Sequence, residues 1–383
     1  MPPYVLGEAW FAEAAYLKDR GLDSRASIER ATSAYEEALR LDPTLVWVIH
    51  ALSSVCGLCA VNDILAGRDP QPALDKALAY SGRGLELDSS SLRSRDGALF
   101  ARLYQAWLMV EAGRDPESVV SLVRKGVEAE IAQSHDAPSA DYCLSWTDWV
   151  TADHELSAGR DPSAAIDRGM KTAGGHAARS SSIQDSYEML GRLGAVKGLY
   201  LLQKGEDPGP ALRDAEAAFQ RVAEGAPWDV GYRAWRARVE SIGLRWAVKQ
   251  HQATAESFRA VLAPLTPLLA EERVDPRLYL VLAEIHQIEA AWLLEGSKSA
   301  DPAIAEGLAM ADKALHLNPH MARALLTKGT LLLARADAAR AAPERSQAAL
   351  DAGEALSAAA KENPLLEREI APLRLALRKV QAR

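Results

Sequence analysis

One tetrapeptide, repeated at even spacing, constrains this chain more than any other feature. Gly67-Arg68-Asp69-Pro70 recurs as Gly113-Arg114-Asp115-Pro116 and Gly159-Arg160-Asp161-Pro162, then as Gly205-Glu206-Asp207-Pro208, each step being 46 residues. Gly21 stands one further step upstream. A Gly ends a helix by accepting a left-handed cap, and an Asp caps the helix that follows. A Pro is tolerated in the first helical turn, where its missing N–H is not needed. The tetrapeptide is therefore a stop-and-restart signal between two helices. A phosphate-binding loop is the competing reading, but no Gly-Lys-Ser/Thr follows it. Self-similarity at a fixed period is the mark of stacked repeats.

Two further columns keep the period. Steps of 46 from Gly7 give Ser53, Leu99, Ser145, Gly191, Ala237, Ala283 and Gly329, small residues except for Leu99, as close helix crossing requires. One position earlier stand Leu6, Leu52, Leu144, Leu190 and Leu282. Pro43, Pro227 and Pro319 mark repeat ends at whole multiples of the period, with Pro364 one residue out of step. The segments between the breaks are rich in Ala, Leu and Glu. They carry neither sustained apolar–polar alternation nor an Asn-Gly or Asp-Gly hairpin turn, so they read as helices.

These residues resemble the tetratricopeptide repeat, whose helix A carries Leu and a small residue and whose helix B carries Ala, an aromatic and Ala before Pro. Ala31, Tyr35, Ala38 and Pro43 match the helix-B half, as do Ala215, Phe219 and Pro227; Leu190-Gly191 and Leu282-Ala283 match the helix-A half. The family period is 34, so each repeat carries about 12 extra residues, expected in helix A and the loop after it. Repeats three and four, residues 93 to 180, fit the helix-B signature poorly. The long-repeat style is also similar to solenoids that follow the kinase domain in some bacterial serine/threonine kinases. This chain has no kinase glycine-rich loop, catalytic-loop Asp motif or Asp-Phe-Gly.

The expected fold is an all-α, right-handed superhelical solenoid of about eight antiparallel helix pairs closed by a capping helix. The pairs fall near residues 1–43, 44–90, 91–135, 136–180, 181–227, 228–272, 273–319 and 320–364, with the cap at 365–383. The chain begins inside helix A of the first repeat, which reads as a cut from a longer protein.

The resemblance implies that helix-A residues line a concave groove. It places Trp47 and His50 there from repeat two, Arg93, Asp96 and Phe100 from repeat three, and Tyr142, Trp146 and Trp149 from repeat four. Repeat five adds Asp185, Glu188 and Arg192, repeat six Arg238, and repeats seven and eight Arg277, Glu284 and Arg323. All nine tryptophans fall in the helix-A segments. Tyr16, His154, Tyr200, Trp246 and Trp292 form a 46-residue column that reads as packing between repeats. Trp47, Trp146 and Trp149 lie outside it, where groove anchors and core are both open readings. Helix A of repeat four is acidic (Asp141, Asp148, Asp153, Glu155). That of repeat six is basic (Arg233, Arg236, Arg238, Arg245, Lys249), and would suit an acidic segment if it faced inward.

A net charge of -8 argues against a nucleic-acid surface. The apolar run Leu45 to Val61, interrupted by His50, Ser53 and Ser54, reads as a buried helix rather than a membrane span. Three cysteines cannot all pair, and the N-terminus carries no secretory signal, so a cytoplasmic monomer is expected. Cys56-Gly57-Leu58-Cys59 lies inside an apolar helix without a second pair, and His154-Glu155 lacks the second His of a metalloprotease string. No metal, cofactor or catalytic residue is expected. The expected function is a non-catalytic scaffold or sensor that binds a protein or peptide along the groove. The alternatives are a regulatory segment of a signalling enzyme and an enzyme with a pocket inside the superhelix, built on His154 or the acidic set.

Overall fold

A computed structural model describes residues 1–133, 139–179 and 184–382. Seventeen α-helices and no strand occur among them. They alternate as inner (A) and outer (B) helices: α1 (Pro3–Asp19) with α2 (Arg25–Leu41), α3 (Val46–Leu65) with α4 (Gln71–Leu87), α5 (Leu92–Glu111) with α6 (Glu117–Gln133), and α7 (Ala140–Ser157) with α8 (Ser163–Arg179). Next come α9 (Gln184–Lys204) with α10 (Gly209–Gly225), α11 (Val230–Lys249) with α12 (Ala255–Leu262), α13 (Pro276–Glu295) with α14 (Asp301–Leu317), and α15 (Ala322–Ala338) with α16 (Ala342–Glu362). α17 (Glu367–Gln381) closes the array. The repeat boundaries expected at 135/136 and 180/181, and residue 383, lie outside the described residues.

The tetrapeptide acts as its chemistry requires. Gly21, Gly67, Gly113, Gly159 and Gly205 all have φ between 64° and 77°, and the next residue's N–H closes the helix end, as from Arg68 to the Asp63 carbonyl at 2.8 Å. Asp69, Asp115, Asp161 and Asp207 each accept the backbone N–H two residues on, at 2.8 to 3.0 Å. The left-handed column then continues where the sequence no longer advertises it. His251 (φ 55°) and Ser297 (φ 53°) occupy the next two steps of 46.

The extra length lies in both helices: α3, α5, α11 and α13 have 20 residues, while α2, α4, α6, α8, α10 and α14 have 17. Only five residues separate α3 from α4, so the expected long loop is absent there. The small-residue column is where A and B helices touch. A Cβ on Gly7 would lie 2.6 Å from the Tyr35 ring, and one on Gly191 2.6 Å from the Phe219 ring. Leu99, the large exception, is accommodated from the other side: a Cβ on Gly126 would lie 2.7 Å from Leu99 Cδ2. α3 is long and apolar enough to cross a membrane by length and composition, yet half its residues, Leu52 and Val55 among them, are buried against its neighbours.

Repeat six departs from the pattern. Pro264 and Pro267 remove backbone donors, so α12 stops at Leu262 and a 3₁₀ turn, Thr266–Ala270, replaces its second half. The segment after that turn crosses to the first repeat. Val274 N–H donates to the Gly21 carbonyl at 2.7 Å, and Arg20 Nη2 donates to both Glu271 carboxylate oxygens at 2.8 and 2.9 Å. Two more contacts follow the same winding: Asn318 Nδ2 donates to the Ile64 carbonyl at 3.3 Å, and Asn363 Nδ2 to that of Glu111 at 3.1 Å. Each spans about 250 residues, so the superhelix completes one turn in about five and a half repeats and its second turn rests on its first. The concave side is thereby closed laterally into an axial channel, where an open groove was expected.

Candidate functional site

Successive A helices pack on one another, α5 on α7, α7 on α9, α9 on α11, α11 on α13 and α13 on α15, forming the inner wall. Six of them, α5 to α15, surround one chamber on the superhelix axis, with a narrow part of about 90 Å³. Its wall includes Trp107, Glu111, Trp149, Asp153, Arg192, Trp235, Arg238, Arg277, Glu284 and Arg323. Past Arg238, Glu284 and Arg323 it opens into a wider space of about 510 Å³, where Arg245, Arg368 and Glu369 join the lining.

The sequence candidates divide. Arg192, Arg238, Arg277 and Trp149 converge on the chamber. Of the two readings open for Trp146 and Trp149, the structure has both side chains in the core, 6% and 3% exposed, with Trp149 also at the chamber wall. Trp146 sits in an aromatic cluster with Phe100, Tyr104 and Tyr142, ring centres 5.5 to 6.4 Å away. Trp47 stays outside the chamber, 37% exposed, edge-on to Tyr4 at 4.9 Å. His50 is half-buried beside Arg93 and Asp96, and burial, then Arg93, lowers its pKa. Eight of the nine tryptophans are on A helices; Trp228 is in the turn before α11, packed on Tyr16 from the neighbouring turn of the superhelix. In the aromatic column expected as packing between repeats, His154 is buried, Tyr200 and Trp292 are partly buried against the core, Trp246 is partly buried and Tyr16 is exposed. The Lys204, Lys249 and Lys298 ammonium groups stand 4.9 to 5.8 Å from Tyr200, Trp246 and Trp292.

Charge pairing inside the chamber reverses the impression left by its four arginines. Arg192 is paired with Glu188, which also accepts from the Tyr232 hydroxyl at 3.1 Å, and its guanidinium carbon stands 4.7 Å from the Trp149 ring centre and 5.1 Å from that of Trp235. Arg277 is paired with Asp275 at 2.6 Å, and Arg323 with Glu369 at 2.7 Å. In the narrow part Arg238 alone is left without an ion pair among the described residues, its guanidinium over Trp235 at 5.3 Å; Arg245 and Arg368 in the wider space have none either. Facing Arg238 are Glu111, Asp153 and Glu284, none of which pairs with a cation within 4 Å among the described residues. Glu111, solvent-exposed at the chamber wall, accepts from Trp107 Nε1 at 3.1 Å; desolvation by the surrounding wall, and then Asp153, pushes its carboxyl above the ordinary range. Burial alone would lower the Arg323 guanidinium, but Glu369, Glu284 and Asp153 outweigh it and raise it.

Trp107, Glu111, Trp235 and Asn363 escaped the sequence reading. One signal could have found two of them: Trp107 lies one period before Asp153, and Glu111 one period before Ser157, which also lines the chamber.

No protein-family model matches the chain, and no curated protein does. Solved structures match across most of its length. The human IFIT1 dimer with m7Gppp-AAAA is 12% identical, over 87% of this chain and 68% of that one, with a TM-score of 0.49. An IFIT1 monomeric mutant with Gppp-AAAA is 12% identical, over 86% and 67%, with a TM-score of 0.50. Yeast Tom70 is 12% identical, over 98% and 88%, with a TM-score of 0.27. At such identities the likeness speaks to architecture alone: this chain has the tetratricopeptide-like all-α solenoid fold.

Proposed function

We propose that the chain is a non-catalytic binding scaffold that receives an extended polypeptide segment in its axial chamber. The observation that carries this reading is the convergence of six successive A helices on one aromatic and charged space. Contacts between superhelical turns close the flanks, so a ligand enters along the axis, as a chain end or a narrow loop does and a folded surface does not. IFIT1 was solved with capped oligonucleotides. Here the three unpaired carboxylates and the net charge of -8 oppose a polyanion in that position.

Site-specific photo-cross-linking tests the reading. A benzophenone side chain at Ser157, on the chamber wall, is expected to capture a polypeptide that the same group at Glu128, on the exposed face of α6, does not. Equal capture from both positions would place binding outside the chamber and end the proposal.

A further inference from the structure

The unpaired charge of the chamber's narrow part, three carboxylates against Arg238, points to its ligand. We propose that the chamber is a cation-recognition site, taking a guanidinium or alkylammonium group between the carboxylates of Glu111, Asp153 and Glu284 and the Trp107 face beside them. The inference rests on the axial chamber just described and names the chemistry of what enters it.

Glu284 is the strongest sign. It is 8% exposed, it lines both the narrow and the wide parts of the chamber, and its carboxylate makes no hydrogen bond or close ion pair with a described residue. Arg323, on which Glu284 acts electrostatically, commits its guanidinium to Glu369 instead. The Glu284 oxygens are satisfied only by solvent in the chamber, and a ligand bringing two or three N–H groups would replace that water with charge-assisted hydrogen bonds. Asp153 and Glu111 stand across the same space, and their mutual repulsion is relieved by a positive group placed among them. Trp107, on the chamber wall and with no cation over its ring among the described residues, supplies the other half of a cation site, since a desolvated cation is attracted to an indole face. Arg192 already occupies one such arrangement, bracketed by Trp149 and Trp235 and paired with Glu188, so the wall carries an internal example of what it accepts. The narrow part suits a side-chain head, and the wider space beyond suits the chain that bears it.

The experiment follows the tryptophan indole N–H resonances of the full chain during titration with three probes. These are a capped Ala-Gly-Arg-Gly-Ala peptide, its Ala-Gly-Glu-Gly-Ala counterpart and agmatine, a free guanidinium. The arginine peptide and agmatine are expected to bind and the glutamate peptide not to. Glu284→Gln should weaken both cations about tenfold, the loss of one charge-assisted contact, with its thermal unfolding recorded as a control for folding. Asp153→Asn should weaken them in the same direction. Agmatine binding with neither peptide binding would keep the cation site and sink the polypeptide reading. Glutamate-peptide binding in the chamber would keep the polypeptide reading and overturn the cation site, and so would cation binding unchanged in both folded variants.

Discussion

The side-chain amide of Asn363 donates to the backbone carbonyl of Glu111, 252 residues earlier, at 3.1 Å. Asn318 repeats the contact one repeat upstream, donating to the Ile64 carbonyl. Both asparagines stand where Asp42 and Asp88 stand in early repeats, all four in extended backbone after helix B. Either residue type can accept from the N–H two positions on, as Asp42 does from Thr44 and Asn363 from Leu365. Only Asn can also donate, and the opposing groups are carbonyls at helix C-termini. The amide is therefore the device by which the second superhelical turn grips the first.

Replacing that amide by a carboxylate should loosen the grip. Asn363→Asp loses the donor and sets a negative charge against the negative end of α5, an expected loss of about 1–3 kcal/mol. Thermal unfolding measures the loss, and small-angle scattering should show a larger radius of gyration. An unchanged radius in the Asn318→Asp/Asn363→Asp double variant would mean that the turns are kept together elsewhere.

The left-handed column offers a test with opposite signs at equivalent positions. Ser297→Gly should stabilise by about 0.5–1 kcal/mol, because Ser there adopts φ 53° against its preference. Gly113→Ala should destabilise by at least about 1 kcal/mol, since the backbone is left-handed and the new Cβ would lie 3.0 Å from Asn363 Cγ. Chemical denaturation of the two variants side by side would expose a wrong sign in either.

Gly191 and Phe219 form a close A–B contact. Gly191→Leu should overpack it and cost about 1–3 kcal/mol, splitting the unfolding transition because repeats are stabilised chiefly by their neighbours. A single transition at the wild-type midpoint would count against that account.

Arg192 supports the chamber wall through Glu188. Arg192→Met leaves Glu188 buried without its cation and should cost about 3 kcal/mol, while Glu188→Gln with Arg192→Met should recover part of the loss. A double variant no more stable than the single would show that the ion pair is not what matters there.

Glu130 makes stability depend on pH. It is fully buried, neither carboxylate oxygen has a hydrogen-bond partner among the described residues, and burial with help from Asp96 pushes its pKa up to about 7. The folded state therefore holds this proton more tightly than the unfolded chain, where Glu titrates near 4.3. Its contribution is fully present below that value and is lost as pH rises through about 7. Glu130→Gln should flatten the fall in stability between those limits and make the protein more stable at pH 8. Asp229, raised to about 6 chiefly by burial, adds a loss of the same sign that the variant leaves in place.

The sequence by itself determined the class and the rhythm of this fold. Helix ends are set by the few residues beside them, so Gly at the cap and Asp two residues before the new helix were readable in Gly67-Arg68-Asp69-Pro70, and the small faces in Gly7 and Gly191. His251 and Ser297 adopt the same left-handed turn without Gly, imposed by the helices on either side, and local composition carries no trace of it. What the tertiary structure alone decided was how far the array winds, and with it the character of the site. The proline-broken α12 and the asparagines at 318 and 363 close the superhelix through contacts some 250 residues apart. Charge followed the same rule. Of the four arginines that the inner helices bring to the chamber, Arg192 is neutralised four residues away by Glu188, Arg277 two residues away by Asp275, and Arg323 one full period away by Glu369. A charge inventory counts ions, and only packing decides which of them are already paired.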